Sequence, residues 1–245
     1  MIASTSVAVL GVASLALGYH AVSPWSQLYG RTFLGTPGRG KKLALTYDDG
    51  PNETSTPALL EVLEKHGVKA AFFLIGKNAA LCPNIVRRIA EAGHDIGMHS
   101  YSHKSLLFCS ARDIRFEFSQ WEQALDSAGV SLKHRLKLFR PPYGARRPGV
   151  LRIARELGYT TVMWSVTCFD WYESTKAERV ERIASRQIRG GDVILMHDGS
   201  QKGIDVARLH TVVATDHLIP SYRNEGFEFT GLSEWIGEIS WRVKS

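Results

Sequence analysis

From residue 43 onward, strand-like and helix-like segments alternate along the chain. Short apolar runs such as residues 43–47 and 70–75 predict buried strands, whereas residues 54–66 carry apolar side chains at helical spacing and stop at a glycine. Strict alternation is typical of a parallel sheet covered by helices. Seven predicted strands favour an α/β fold, a distorted and incomplete (β/α) barrel of parallel strands with outer helices. An open doubly wound sheet is the alternative.

The other predicted elements complete this alternation. Further strands are predicted at residues 94–98, 136–139, 160–166, 192–196 and 226–230, and further helices at residues 83–92, 110–128, 148–157, 176–189, 205–219 and 232–239. No internal repeat and no low-complexity segment interrupts the series.

Composition describes a globular chain with a basic surface. The 245 residues are 44% hydrophobic and 22% charged, which is enough to bury a full core. The formal net charge of +6 suggests acidic surroundings, such as a phospholipid surface or an anionic polymer. The basic residues are scattered and no nucleic-acid motif is present, so nucleic acid is not an expected partner. No obligate protein partner is evident, and the three cysteines suggest free thiols.

The N-terminal region differs from the rest of the chain. Residues 1–22 form an apolar segment, uncharged throughout, which predicts a membrane anchor or a signal-like sequence; a buried helix is the alternative. Residues 23–42 contain Pro, Gly and basic residues and are predicted to be a linker, and residues 43–240 to form the folded domain. The expected location is therefore membrane-associated or in the cell envelope, on a side of the membrane that the sequence leaves open.

Polar clusters follow five of the predicted strands. In parallel barrels, functional side chains gather at the C-terminal ends of the strands, so these clusters are predicted to meet at one end of the fold. The clusters are Asp48-Asp49, residues 99–103, residues 140–144, Asp170-Trp171 and His197-Asp198.

A metal site is predicted from Asp49, His99 and His103. The two histidines are four residues apart, so on a helical turn both rings would point the same way. Two imidazoles and one carboxylate form a three-ligand set with room for water, the usual composition of a catalytic zinc site. Taken alone, the histidine pair could equally be two surface residues.

Five motifs together resemble the polysaccharide deacetylases, the NodB-homology domain of carbohydrate esterase family four. The resemblance extends from about residue 41 to residue 235. The motifs are Thr-Tyr-Asp-Asp-Gly-Pro (46–51), His-Ser-Tyr-Ser-His (99–103), Arg-Pro-Pro-Tyr-Gly (140–144), Asp-Trp (170–171) and Ile-Leu-Met-His-Asp (194–198).

The resemblance implies a role for each matching residue. Asp48 corresponds to the general base, Arg140 to the arginine that keeps this base ionised, and His197 to the general acid that protonates the leaving amine. The backbone N–H of Tyr143 corresponds to the oxyanion donor. The implied substrate contacts are Pro142, Asp170, Trp171 and Leu195, and the implied metal ligands are Asp49, His99 and His103. Without the other motifs, His197, Arg140 and Trp171 could each be structural residues.

One position departs from the family pattern. The fourth motif is expected to begin with an aspartate that bonds the catalytic histidine, and Thr167 stands there instead. A hydroxyl stabilises an imidazolium less than a carboxylate does, so the tuning of His197 is in doubt unless Asp170 or Asp198 supplies the charge.

The sequence thus predicts a metal-dependent hydrolase that removes N-acetyl groups from an N-acetylated sugar polymer or oligosaccharide. A divalent metal is expected, Zn²⁺ first, with Co²⁺ or another divalent ion as alternatives. Three other functions stay open: deacylation or deformylation of a lipid-linked amino sugar, O-acetyl ester hydrolysis on a polysaccharide, and sugar binding by a metal-bearing module without turnover.

Overall fold

Strand β1 lies in the middle of a parallel sheet. The computed structural model describes residues 17–244. Its strands follow the order β5-β4-β3-β2-β1-β7-β6, and β8 pairs with the start of β1. The strands are β1 (Lys42–Asp48), β2 (Ala71–Leu74), β3 (Asp95–Met98), β4 (Leu138–Phe139), β5 (Thr160–Thr161), β6 (Val166–Thr167), β7 (Asp192–His197) and β8 (Glu228–Phe229).

Helices connect the strands and cover the outside of the sheet. They are α1 (Ser55–Lys65), α2 (Gly76–Leu81), α3 (Pro83–Glu91), α4 (Ala111–Ser127), α5 (Pro148–Glu156), α6 (Ala177–Gln187), α7 (Leu209–Asn224) and α8 (Leu232–Lys244). Local sequence sets several boundaries: a capping box between Ser110 and Asp113 begins α4, and Pro83 and Pro148 occupy first-turn positions.

Three helices differ from the prediction. The short helix α2 was not expected, α7 covers Leu209–Asn224 where residues 205–219 were predicted, and α8 extends beyond the predicted residue 239. The backbone N–H of Arg208 donates to the Ser55 hydroxyl of α1, at 3.0 Å. A tertiary contact therefore holds the chain just before α7, which helical periodicity does not reveal.

The sheet is curled into an incomplete barrel, as predicted, and is not an open sheet. The strand predicted over residues 160–166 is divided in two: β5 lies at one edge of the sheet and β6 at the other. Five residue steps from Thr161 to Val166 span at most about 18 Å. The edges of a flat seven-stranded sheet lie roughly 29 Å apart, since neighbouring strands are about 4.8 Å apart. The two edges must therefore curve toward each other.

Alternation along β1 separates the outer core from the barrel interior. Leu43, Leu45 and Tyr47 belong to the large core cluster shared with the helices, whereas Ala44 belongs to a smaller cluster with residues of β2, β7 and α8. Thr46 and Asp48 continue the Ala44 face. A period of two thus directs Asp48 into the barrel at the C-terminal end of β1.

The N-terminal end of the barrel is filled by apolar side chains. Trp235 and Ile236 of α8 are buried in the same interior cluster as Ala44, and Trp235 packs edge-on against Phe33 with ring centroids 5.5 Å apart. Access to the interior is therefore from the opposite end, where the strands finish.

Residues 23–42, predicted to be a linker, pack against the barrel. The buried Arg146 guanidinium donates to the backbone carbonyls of Ser23 and Ser26 at 2.6 and 2.8 Å, and the N–H of Phe33 donates to the Thr161 carbonyl at 2.8 Å. Residues 23–42 lie on the domain because their backbone carbonyls supply acceptors that the buried Arg146 requires.

The predicted anchor covers residues 1–22, of which residues 1–16 lie outside the described part of the chain; residues 17–22 are helical. Within residues 17–244, no helix combines the length and apolar character needed to cross a membrane.

Candidate active site

The site begins with the pairing of β1 and β7. These parallel strands run in register for six residue pairs, and the last pair joins Asp48 to His197. Both side chains are buried, with 3% and 9% of their surface exposed. Sheet register therefore places a carboxylate and an imidazole side by side at the open end of the barrel.

Three potential ligands converge next to this pair. One ligand atom each from Asp49, His99 and His103 lies within 4.8 Å of the other two. The Oδ1 atom of Asp49 is 3.5 Å from His99 Nε2 and 3.0 Å from His103 Nε2. The structure thus brings together the three residues that the sequence predicted as a metal site.

Both histidines are oriented through their Nδ1 atoms. His99 Nδ1 donates to the Arg140 backbone carbonyl at 2.8 Å, and His103 Nδ1 donates to the Gln201 side-chain oxygen at 2.7 Å. These bonds leave both Nε2 atoms as lone-pair donors facing Asp49. Bonds of this kind to the second ring nitrogen typically fix the tautomer of metal-ligating histidines.

The donor set fits a divalent cation. Across residues 17–244 no group donates a hydrogen bond to Asp49 Oδ1, although this atom is buried. Burial alone would raise the pKa of the Asp49 carboxyl, but the contact with a protonated His103 holds that pKa well below the usual range, and the same contact, against the effect of burial, raises the pKa of His103. A divalent cation would take the place of this proton between Asp49 and His103. Burial lowers the pKa of His99 to about 4, which keeps this imidazole neutral. An ionised carboxylate and a neutral imidazole are the forms that bind metals.

The loop that carries both histidines is not helical, so helical spacing is not what turns the two rings the same way. Residues 99–103 form an irregular turn. The buried carboxylate of Glu117 on α4 accepts from the backbone N–H groups of Tyr101 and Ser102 and from the Ser102 hydroxyl. An acceptor from a distant helix therefore shapes this turn, and the imidazole rings still approach to 4.9 Å between centroids.

Among residues 17–244, five non-glycine residues have left-handed backbone conformations, and all lie in loops at this end of the barrel. Asp49, Ser100, His103, Tyr143 and Phe169 have φ values of 72°, 60°, 58°, 59° and 53°. Such conformations cost about 1–3 kcal/mol each and cluster at functional sites in proteins. Two of the three potential ligands are in this group.

Arg140 holds Asp48 from inside the barrel. Its guanidinium is fully buried and donates from Nη1 to Asp48 Oδ1 at 2.7 Å and to the Thr46 hydroxyl at 2.9 Å. It also donates to the backbone carbonyls of Val162 and Met163. Asp48 Oδ2 makes no such bond and lies 3.7 Å from His99 Nε2, on the side of the ligand cluster.

Asp170 was predicted to contact the substrate. In the structure it is bonded to His197 and is not among the residues that line the cavity. It is fully buried; its Oδ1 accepts from His197 Nδ1 at 2.8 Å, and its Oδ2 accepts from the His197 backbone N–H at 2.7 Å. Burial lowers the pKa of His197, but the charge and hydrogen bond of Asp170 outweigh burial and raise it to about 9. The doubt attached to Thr167 is therefore resolved, because the carboxylate partner is Asp170.

A cavity of about 590 Å³ opens over the cluster. Trp171, Leu195 and Tyr143 line it, and the Trp171 ring stands nearly perpendicular to that of His197 at 5.7 Å. Pro142 is buried and is not among the residues that line the cavity. A larger groove of about 960 Å³ lies elsewhere and is lined by residues of the 29–33 segment, α5 and β5.

Several lining residues were not predicted. Gln201, Lys202 and Arg208 belong to the loop between β7 and α7, and Trp164 to the segment between β5 and β6. Gln201 accepts from His103 and also from the Tyr143 hydroxyl. These residues fall in irregular segments whose path is set by tertiary contacts, so spacing in the sequence carried no signal for them.

Close backbone packing joins two of the site loops. A Cβ atom on Gly50 would lie 2.4 Å from the Asp198 carboxylate, and one on Gly199 would lie 2.4 Å from the Asp49 carbonyl. Glycine is required at both positions because the loops after β1 and β7 touch there.

Comparison with known proteins gives a consistent result. The family profile described as Polysaccharide deacetylase matches residues 35–162. A peptidoglycan-N-acetylglucosamine deacetylase of Bacillus cereus is 37% identical over 212 residues, covering 85% of this chain and 72% of that protein. A chitooligosaccharide deacetylase of Bradyrhizobium sp. is 34% identical over 200 residues, covering 79% of this chain and 90% of that protein.

A solved structure agrees at the level of the whole fold. The Bc1960 peptidoglycan N-acetylglucosamine deacetylase, in complex with a naphthalenyl N-oxidanyl-benzamide, superposes with a TM-score of 0.75 at 35% identity. The match covers 83% of this chain and 91% of that one.

Proposed function

The chain belongs to the polysaccharide deacetylase family, and we propose that it removes N-acetyl groups from an N-acetylated sugar polymer or oligosaccharide in a metal-dependent hydrolysis. The observation that carries this proposal is the convergence of Asp49, His99 and His103 in one cavity with the Asp48–His197 pair. The named activities of the B. cereus and Bradyrhizobium relatives support the same reaction class.

The metal would be held by Asp49, His99 and His103, and we propose Zn²⁺ because two imidazoles and one carboxylate suit a catalytic zinc. When bound, the ion supplies Lewis acidity that polarises the acetyl carbonyl and makes a water molecule more acidic. The orphaned Asp49 Oδ1 and the two free Nε2 atoms support this assignment.

Asp48 is proposed as the general base. Arg140 occupies its Oδ1, so the free Oδ2, which faces the ligand cluster, would take the proton from the attacking water. Arg140 would also hold this carboxylate in place and supply a counter-charge for it inside the barrel.

His197 is proposed as the general acid. Asp170 occupies Nδ1, which leaves Nε2–H to protonate the amide nitrogen as the C–N bond breaks. An amine is a poor leaving group without this proton. With Asp170 as the partner of His197, the proposed acid has the carboxylate support that an amide substrate requires.

The remaining lining residues would orient the acetyl group. Leu195 offers an apolar contact for the methyl group, and Trp171 forms a wall beside His197. The backbone N–H of Tyr143 is proposed to donate to the developing oxyanion. For the peptidoglycan-directed relatives the substrate lies in the cell wall, and we propose a cell-envelope location, with membrane association through residues 1–22, for this protein.

The test is product analysis on defined substrates. Protein depleted of metal and reloaded with one equivalent of zinc is incubated with chitotetraose, an O-acetylated xylan and a formylated amino sugar. We expect acetate and free amine in equal amounts from the first substrate, with activity lost in chelator and restored by zinc. Product from the ester or formyl substrate alone would support the corresponding alternative, and binding without any product would support a non-catalytic sugar-binding module.

A further inference from the structure

Arg208 is an almost fully buried arginine whose guanidinium lacks protein partners. It stands just before α7, is 3% exposed, and lines the cavity that contains Asp48 and His197. Its Nε and Nη1 atoms are inaccessible and find no acceptor among residues 17–244. The side chain therefore keeps unsatisfied donors next to the cavity.

The other two buried arginines of the fold behave differently. Arg140 bonds Asp48, a hydroxyl and two carbonyls, and Arg146 bonds three backbone carbonyls. Burying a charge without partners is costly, so protein interiors normally provide them. The contrast indicates that the partner of Arg208 comes from outside the chain and enters through the cavity.

Arg208 shares its cavity with a second cationic side chain, Lys202, and with the carboxylates of Asp48 and Asp49. Lys202 lines the same cavity, and its ammonium bonds Glu173 at 2.7 Å; both side chains are more than half exposed. The hydrogen bond and charge of Lys202, and more weakly the charge of Arg208, lower the pKa of the Glu173 carboxyl. Glu173 is thus an exposed counter-ion for Lys202, and it makes no bond to Arg208 among the described residues.

Aromatic rings mark the path along which a sugar chain would reach this position. Trp171 and Tyr172 lie at the rim with ring centroids 5.8 Å apart, and both are exposed. Apolar faces of sugar rings pack on such surfaces, while the guanidinium fork suits a planar carboxylate. A neutral polymer would leave the Arg208 donors without an ionic partner.

We propose that Arg208 binds a carboxylate carried by a substituent of the substrate chain, so that the preferred substrate is an anionic N-acetylated polymer and not a neutral one. This inference rests on the proposed deacetylase function. The inference states whether the substrate is anionic or neutral. The two kinds of relative differ in their named substrates, which are peptidoglycan for one and chitooligosaccharides for the other.

The test uses one ligand in two charge states. The ligand is a disaccharide of N-acetylglucosamine and N-acetylmuramic acid, either with its free carboxylate or as the methyl ester. Binding is measured by calorimetry with zinc-loaded protein in an Asp48→Asn background, which prevents turnover during the titration. With Arg208 present, we expect the ester to bind roughly tenfold or more weakly than the acid, the size expected of a charge-assisted hydrogen bond.

The same two ligands are then compared in variants of Arg208. In Arg208→Gln the acid and the ester should bind alike, and Arg208→Lys should recover part of the preference for the acid. Arg179→Gln, which removes an exposed arginine of α6, is the matched control and should retain the full preference. Zinc content and thermal unfolding confirm that each variant is folded.

Two results would overturn the proposal: equal affinity for acid and ester when Arg208 is present, or an unchanged preference in Arg208→Gln. Neither result depends on catalysis. The proposed function is tested separately by acetate release from neutral chitotetraose with Asp48 intact, so failure of one proposal is distinguishable from failure of the other.

Discussion

Replacing Asp170 by Asn tests the proposed general acid most directly. Oδ2 of Asp170 accepts from the His197 backbone N–H and from the Thr211 hydroxyl, so the amide oxygen of Asn is expected to take that position. Its NH₂ group then faces His197 Nδ1, which has to become an acceptor. The imidazolium, with protons on both nitrogens, no longer fits.

The structure gives the size of the effect. Burial lowers the pKa of His197, yet Asp170 raises it from 6.5 to about 9. At roughly 1.4 kcal/mol per pH unit, this corresponds to about 3 kcal/mol in favour of the imidazolium. Loss of a neighbouring anion typically moves a pKa by about one to three units, and loss of a general acid lowers the rate roughly 10²- to 10⁴-fold.

The assay is the pH dependence of kcat/KM for chitotetraose. Because the protonated form of His197 is active, its deprotonation forms the falling, alkaline limb, and Asp170→Asn should move this limb to lower pH. The matched variant Thr167→Asp should leave the limb in place, since the Thr167 backbone bonds Gln187 and the position is not the partner of His197. An alkaline limb that stays unmoved in Asp170→Asn would refute the assignment of His197 as the acid.

The free energy of unfolding should also depend on pH through the His197–Asp170 pair. Because the pKa of His197 is higher in the folded protein than its ordinary value of 6.5, the pair stabilises the fold fully below that pH. This contribution is lost as the pH rises through about 9. Urea unfolding at several pH values should therefore show the greatest difference between wild type and Asp170→Asn in acidic solution.

Further predictions concern the base, the metal and the hydrogen bonds by which Arg146 holds Ser23 and Ser26. Asp48→Asn should retain zinc and lower kcat roughly 10²- to 10⁴-fold, whereas Asp49→Asn should lose zinc and turnover together; equal zinc content would contradict this division of roles. Gln201→Ala should weaken zinc binding about 10- to 100-fold in chelator competition, because His103 loses its Nδ1 partner, and unchanged affinity would refute this. Arg146→Met should lower the free energy of unfolding by about 1–3 kcal/mol through its lost carbonyl bonds, and a similar loss in exposed Arg179→Met would contradict that explanation.

Regular elements near the middle of the sheet were predictable because their patterns are local. The strands β1, β2 and β7 are apolar runs of the right length, and α4 carries its own capping box. The sorting of polar residues to strand ends also placed Asp48, Asp49 and His99 together before any geometry was known, since parallel strands end at one edge.

Elements that depend on distant contacts were not predictable. The turn between His99 and His103 is shaped by Glu117, and the beginning of α7 by the contact of Arg208 with Ser55. The family pattern has the partner of His197 at position 167, where this chain has Thr, and the sequence left Asp170 and Asp198 as alternatives because a motif cannot show which carboxylate points at the ring. In each case the deciding atom belongs to another element of the fold.

The break between β5 and β6 shows how the fold and the site depend on the same contacts. Had residues 160–166 formed a continuous strand, the carbonyls of Val162 and Met163 would have bonded neighbouring strands. Instead the chain crosses the gap between the barrel edges and presents these carbonyls to the Arg140 guanidinium. With those acceptors and Thr46 in place, a buried arginine can be held beside Asp48 without leaving its donors unpaired. The break in the predicted strand therefore supplies the acceptors that position Arg140 against the proposed base.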